Sequence, residues 1–136
     1  MKKIVILALM LLPLLSYGQQ AGQDEKTVKD QEKKFQESVD KQIEDMQSSY
    51  KLEDWQVFYV DSILNHDYSS MRAELKALSD AKFGNEDAYY SVQDKWMERI
   101  YNSLHKVLNQ TQWNKYLKSG AAREKRARDK RAEKVK

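Results

Sequence analysis

The chain of 136 residues contains no cysteine, one proline and only four glycines. Without cysteine the protein has no disulfide, no iron–sulfur cluster, no thiol nucleophile and no lipid anchor on a cysteine. A β-rich domain needs turn residues every ~8–12 positions, and the scarcity of proline and glycine argues against one. Long helices need few turns, so the composition predicts an all-α protein.

The sequence also lacks an apolar run of the ~20 residues that span a bilayer. Its longest run, Ile4–Leu15, is interrupted only by Pro13 and follows two lysines. A basic start, a short apolar stretch and small residues before a cleavage point indicate a signal peptide over residues 1–18. We therefore expect export to the periplasm and a mature protein that begins near Gln19 and does not span a membrane.

Charge is unevenly distributed along the expected mature chain. Residues 19–120 carry fourteen Lys and Arg against eighteen Asp and Glu, whereas residues 121–136 carry eight against three. The basic tail consists of good helix formers but offers no apolar face, so we expect a solvated, fraying helix or a mobile segment. It is a candidate for contact with an anionic surface, while export argues against nucleic acid as a partner.

Apolar residues at helical spacing predict the fold. Residues 19–51 carry one thin apolar stripe and form a polar helix or a linker. The main domain is predicted over residues 52–120, with helices at about 53–82 and 86–107 and a break at Gly84-Asn85 that ends the first helix. A short connection makes long helices antiparallel neighbours, so we expect an elongated antiparallel helical hairpin with flanking N- and C-terminal helices.

Aromatic residues widen the apolar stripe at the start of the second of these helices. They include Trp55, Phe58 and Tyr59. Aromatic residues at helical spacing usually form a core or a dimer seam. Because a thin layer of helices leaves some apolar surface uncovered, we expect it to face a second copy, a partner or a client protein.

Two predicted helix starts share the pattern Leu-x-x-x-Gln followed by an apolar residue. In the second copy Asn109 can cap the helix, and Gln112 can reach back to the amide of Asn109 as a capping box. Leu108, which precedes the cap, can pack on Trp113 as a hydrophobic staple. We expect this capping set to be structural; it comprises Leu52, Gln56, Leu108, Asn109, Gln112 and Trp113.

The paired motifs resemble the LTxxQ signature of the Spy/CpxP family of periplasmic stress proteins. Glu53 and Asn109 stand where that family has threonine, and Glu53 is a weaker cap, so Asp54 is an alternative start of its helix. The resemblance covers about residues 52–117 and implies an all-helical antiparallel homodimer. It implies an ATP-independent chaperone for unfolded or envelope proteins, or a modulator of envelope stress.

Catalytic motifs are missing, because the sequence has neither a glycine-rich phosphate loop nor a nucleophile elbow. We therefore expect a non-enzymatic protein without a cofactor. His66, Glu74 and His105 are weak candidates for a metal site, and two ordinary histidines at polar positions are the simpler interpretation. Two other functions remain open: an adaptor of the cell envelope with one dedicated partner, and a metal-responsive protein.

Overall fold

A computed structural model of the chain describes residues 25–135, and all regular structure within this range is helical. The helices are α1 Glu25–Tyr50, α2 Asp54–Asp80, α3 Glu86–Val107, α4 Gln110–Tyr116 and α5 Ala122–Lys134, with a π-helical turn Leu117–Ala121 between the last two. The prediction of an all-α protein is confirmed. None of the helices in this range is both long and apolar enough to cross a membrane. The expected signal peptide lies outside the described residues.

The second half of α1 belongs to the core. Val39 and Met46 have no exposed surface and pack in the same apolar cluster as residues of α2 and α3. On the flank of this contact, Gln36 donates from its side-chain amide to Asn65 of α2, with an Nε2–Oδ1 distance of 2.8 Å. The apolar core therefore includes residues on both sides of the predicted boundary between the N-terminal segment, residues 19–51, and the main domain, residues 52–120. The polar composition of α1 describes its exposed face, while its thin stripe is enough to join it to α2.

α2 and α3 lie antiparallel. Their contacting residues run in opposite order along the two helices, as shown by the pairs Gln56–Val107, Asp67–Arg99 and Glu74–Lys95. Within the apolar cluster, α2 and α3 each contribute two residues with no exposed surface, namely Val60 and Leu64, and Ile100 and Leu104. Each pair within one helix is four residues apart, so it stacks on one face of that helix.

The turn between α2 and α3 is built differently from the prediction. Lys82, and neither Gly84 nor Asn85, adopts the left-handed conformation, with φ of 54°. The amide of Phe83 donates to the carbonyl of Leu78 at 3.0 Å, which is the long hydrogen bond of a Schellman motif. This motif places the left-handed residue one position before Phe83. Asn85 caps α3, and its side chain accepts the amide hydrogen of the second residue after it at 2.9 Å.

The chain after α4 turns sharply at Gly120. Its φ of 123° is a conformation that residues with a side chain rarely adopt. α5 then packs back against α3, and Arg128 is only 6% exposed. Of the two alternatives expected for the tail over residues 121–136, a solvated helix or a mobile segment, residues 122–134 form the helix, but the side of this helix that faces α3 is not solvated. The contacts of α5 are made by charged side chains, which an apolar pattern does not detect.

Candidate functional site

The two Leu-x-x-x-Gln motifs meet in space, where their buried glutamines pair. Gln56 donates to the side-chain oxygen of Gln112 at 2.6 Å, and Gln112 donates to the side-chain oxygen of Gln56 at 3.1 Å. Each side-chain oxygen also accepts a backbone amide hydrogen from the residue that caps its own helix. The oxygen of Gln56 accepts from Glu53, and the oxygen of Gln112 accepts from Asn109, both at 2.9 Å. The helix caps and the contact between the motifs are therefore one hydrogen-bonded unit.

The same glutamines also hold the ends of two other helices. Gln56 donates to the carbonyl of Val107, the last residue of α3, at 3.1 Å. Gln112 donates to the carbonyl of Tyr50, the last residue of α1, at 3.3 Å. The first and last turns of a helix leave backbone groups without partners, and here two side chains satisfy such groups on four helices.

The rest of the capping set is structural as well. Asn109 is the cap of α4 and accepts the amide hydrogen of Gln112 at 2.9 Å, as the sequence pattern predicts. The cap of α2 is Glu53 and not the alternative Asp54. The other five members of the set are buried, each less than a tenth exposed: Leu52, Gln56, Leu108, Gln112 and Trp113.

The three metal candidates bind other groups. His66 makes a 2.7 Å hydrogen bond with its neighbour Asp67, and Glu74 accepts two 2.7 Å hydrogen bonds from Lys95. His105 stacks on a tryptophan ring with a centroid distance of 4.0 Å. Among residues 25–135, no three His, Cys, Asp or Glu side chains are grouped to hold a metal ion. The spacing that suggested a site thus places these residues in separate contacts.

Ion pairs attach α5 to α3. Glu98 of α3 binds both Lys125 and Arg128, the latter with an Nε–Oε2 distance of 3.0 Å. Asp94 of α3 accepts two hydrogen bonds from Arg131, at 2.7 and 2.8 Å. Such two-pronged pairs fix orientation as well as distance. The acidic body and the basic tail recognised in the sequence therefore neutralise each other where α5 contacts α3.

The protonation of Glu98 is coupled to the ion pairs that attach α5 to α3. Burial raises the pKa of Glu98, but the hydrogen bonds and charges of Lys125 and Arg128 outweigh burial, so the pKa lies below its usual value. The hydrogen bond to Glu98 in turn raises the pKa of Lys125. Both shifts favour the charged pair in the folded protein.

Acid should therefore weaken the attachment of α5. A carboxyl whose pKa is lowered by folding stabilises above its unfolded value, ~4.3, and loses that contribution as the pH falls through the folded pKa. We expect Glu98→Gln to lower the thermal midpoint at about pH 7 by roughly 2–5 °C, and to lower it by less at about pH 3. Circular dichroism melting measures both. Glu44→Gln, an exposed site on α1, is the matched control, and an equal effect of Glu98→Gln at both pH values contradicts the account.

Three aromatic side chains at the start of α2 are exposed, and one of them contacts the other two. Trp55, Phe58 and Tyr59 are 52%, 69% and 51% exposed, and we call them the aromatic cluster. The ring of Tyr59 stands edge-on to both others, with centroid distances of 6.3 Å and 5.5 Å. The indole of Trp55 donates to Glu53 at 2.6 Å, which holds that ring in place. These residues are therefore not part of the core in this structure.

A depression of about 430 Å³ adjoins the aromatic cluster. It is lined by residues of both motifs, including the paired glutamines, and by Lys51, Lys106 and Trp55. Trp55 belongs to both features, so the cluster and the depression form one continuous surface. This surface combines exposed rings with polar and cationic groups, and it lies directly over the hydrogen-bonded junction of the helices.

Comparisons of the chain with protein-family models, with curated proteins and with solved structures find no match. The resemblance to the Spy/CpxP family therefore depends on the two motifs in the sequence. Over residues 25–135 the structure is all-α, its helix ends are joined by a glutamine pair, and a cluster of three aromatic rings is exposed at the start of α2.

Proposed function

We propose that the protein is an exported, non-enzymatic binding protein that holds unfolded segments of envelope proteins as an ATP-independent chaperone. The observation that carries this proposal is the aromatic cluster. Apolar side chains exposed together on a folded protein usually mark an interaction site. The two LTxxQ-like motifs and the signal-peptide pattern support the same proposal.

The size of the aromatic cluster favours unfolded clients over one folded partner. Aromatic side chains bury ~150–250 Å² each in an interface, so three half-exposed rings offer roughly 250–450 Å². A stable interface between folded proteins takes ~800 Å² from each side. The cluster therefore suits weak, exchangeable contacts with short apolar segments, which is what holding an unfolded chain requires.

Local charge adds a preference to this surface. Glu53, Asp54 and Asp61 are exposed at the start of α2, beside the aromatic cluster. Carboxylates next to apolar rings favour segments in which basic residues flank apolar ones, because the opposite charges attract on approach. The proposed clients are thus unfolded segments in which basic residues flank the apolar ones over the rings, while Lys51 and Lys106 of the adjoining depression attract acidic residues.

Suppression of aggregation tests the proposal. The chain from Gln19 should keep a denatured test protein in solution without ATP. Trp55→Ser together with Phe58→Ser should raise the concentration required by about tenfold or more, since each buried ring contributes ~1.5–3 kcal/mol. Phe83→Ser, which removes an exposed ring from the α2–α3 turn, is the matched control. No suppression by the unaltered chain, or an equal loss in the control, contradicts the proposal.

Oligomeric state decides between a client site and a dimer seam. The resemblance implies a homodimer, and two copies of the aromatic cluster could cover each other. Sedimentation of the double serine variant separates the two roles. If the variant keeps the oligomeric state of the unaltered chain, the cluster is free for clients. If it falls from dimer to monomer, the cluster is the seam and the client proposal is lost.

A further inference from the structure

The cations of α5 divide between two opposite faces. Lys125, Arg128 and Arg131 face α3 and pair with its carboxylates. Successive residues of an α-helix are ~100° apart, so a second set of cations falls within ~80° of arc on the other side of α5. We call this set the cationic stripe; it consists of Arg123, Arg126, Lys130 and Lys134.

The cationic stripe is exposed along its whole length. Its first member, Arg123, has a side chain that is 79% exposed and lies 4.0 Å from Glu124. Within residues 25–135, the structure shows no ion pair for Arg126, Lys130 or Lys134. The stripe thus presents positive charge that the acidic body does not neutralise.

We propose that the cationic stripe binds the phosphate groups of an anionic lipid surface. From Arg123 to Lys134 it extends ~16 Å along one helix, at 1.5 Å per residue. A convex helix presents such a stripe as a ridge, and a flat anionic surface meets all four cations at once. Each Lys or Arg near an anionic membrane strengthens binding by about fivefold, so four give useful affinity without insertion.

The composition of α5 favours lipid over a protein partner. Its residues 122–134 include no apolar side chain larger than alanine. Protein interfaces depend on a few buried aromatic or aliphatic anchors, and lysine is depleted there. The same helix has no aromatic ring on which a nucleic-acid base could stack. The choice of lipid over double-stranded nucleic acid rests on the proposed export.

Binding through the cationic stripe leaves the rest of the fold in place. The stripe faces away from Glu98 and Asp94, so lipid phosphates do not compete with the ion pairs that attach α5 to α3. The surface contact therefore holds the folded protein at a membrane, and no helix has to detach or insert.

Vesicle sedimentation tests this inference on the chain from Gln19, which retains every residue of the described core. It should bind vesicles of phosphatidylcholine with roughly 30% phosphatidylglycerol, bind pure phosphatidylcholine vesicles far less, and dissociate in about 0.5 M salt. Arg126→Gln with Lys130→Gln should weaken binding about 25-fold. Lys33→Gln with Lys34→Gln removes the same charge from exposed positions of α1, and should weaken it less than about threefold.

Three results overturn the inference. They are equal binding to neutral and anionic vesicles, an equal loss in the α1 control, and tighter binding of soluble polyglutamate or duplex DNA than of anionic vesicles with the same dependence on Arg126 and Lys130. The aggregation assay contains no lipid, and the stripe variant should keep full activity in it. A failure of lipid binding is therefore distinguishable from a failure of the proposed chaperone function.

Discussion

Replacing Gln112 by leucine should lower the free energy of unfolding by about 3–4 kcal/mol, because the change keeps the volume but leaves several buried polar groups without partners. The amide of Asn109 and the carbonyl of Tyr50 both lose the glutamine side chain. Gln56 loses a donor and an acceptor. Urea unfolding followed by circular dichroism measures the loss.

Two controls make this prediction specific. Gln110 lies in the same helix but is exposed, and Gln110→Leu should cost less than about 0.5 kcal/mol. Once Gln112 is leucine, much of what Gln56 contributes is already lost. Gln56→Leu should therefore cost about 1–2 kcal/mol less in that background than in the unaltered chain. Additive losses show that the two glutamines act independently and contradict the paired junction.

Trp113→Ala should lower the free energy of unfolding by about 3–5 kcal/mol, the range for removing a large buried ring. Trp113 is 5% exposed and stacks on His105, and its ring centroid is 4.8 Å from that of Tyr101. Removal leaves a cavity where α4 packs on α3. Trp55 is the internal comparison, since it is 52% exposed.

The same substitution at position 55 should cost less than about 1 kcal/mol. Denaturant unfolding of the two alanine variants, compared under one set of conditions, gives the difference directly. A cost at Trp55 equal to that at Trp113 means that the aromatic cluster belongs to the core. That result removes the basis of the proposed function. An unchanged stability in Trp113→Ala contradicts the packing of α4.

Much of the fold follows from periodicity and capping. The predicted limits of α3, about 86–107, are those of the structure, because Asn85 is a good cap and the apolar spacing ends at Val107. α2 also ends near its predicted limit. The sequence predicts the left-handed residue wrongly, at Gly84 or Asn85, because α2 ends at Asp80 and its Schellman motif therefore places that conformation at Lys82, a residue type that seldom adopts it.

The contacts between helices that lie far apart in the sequence could not be predicted from it. The capping box at Asn109 is local and was predicted, but the hydrogen bond between Gln56 and Gln112 joins residues 56 positions apart. The docking of α5 depends on pairs such as Arg131 with Asp94. Charged residues are common on solvated helices, so their pattern alone does not distinguish a docked face from a free one.

The exposure of the aromatic cluster follows from the direction in which each ring points on α2, which a count of apolar residues along the helix does not show. At ~100° per residue, Phe58 points ~160° away from Val60 on α2. Val60 is fully buried and Phe58 is 69% exposed. A count of aromatic residues near a stripe therefore overstates the core, whereas the angle between each ring and the buried face identifies the rings that reach solvent.

Indole NMR signals test the central claim most directly, because the three tryptophans report on different parts of the protein. Trp55 lies in the aromatic cluster, the indole of Trp96 donates to Glu74 at 3.0 Å, and Trp113 is buried. On addition of a permanently unfolded protein, the ¹⁵N–¹H indole signal of Trp55 should shift or broaden, while that of Trp113 stays in place. No change in any of the three signals, or a larger change at Trp113 than at Trp55, contradicts the claim that the aromatic cluster holds unfolded clients.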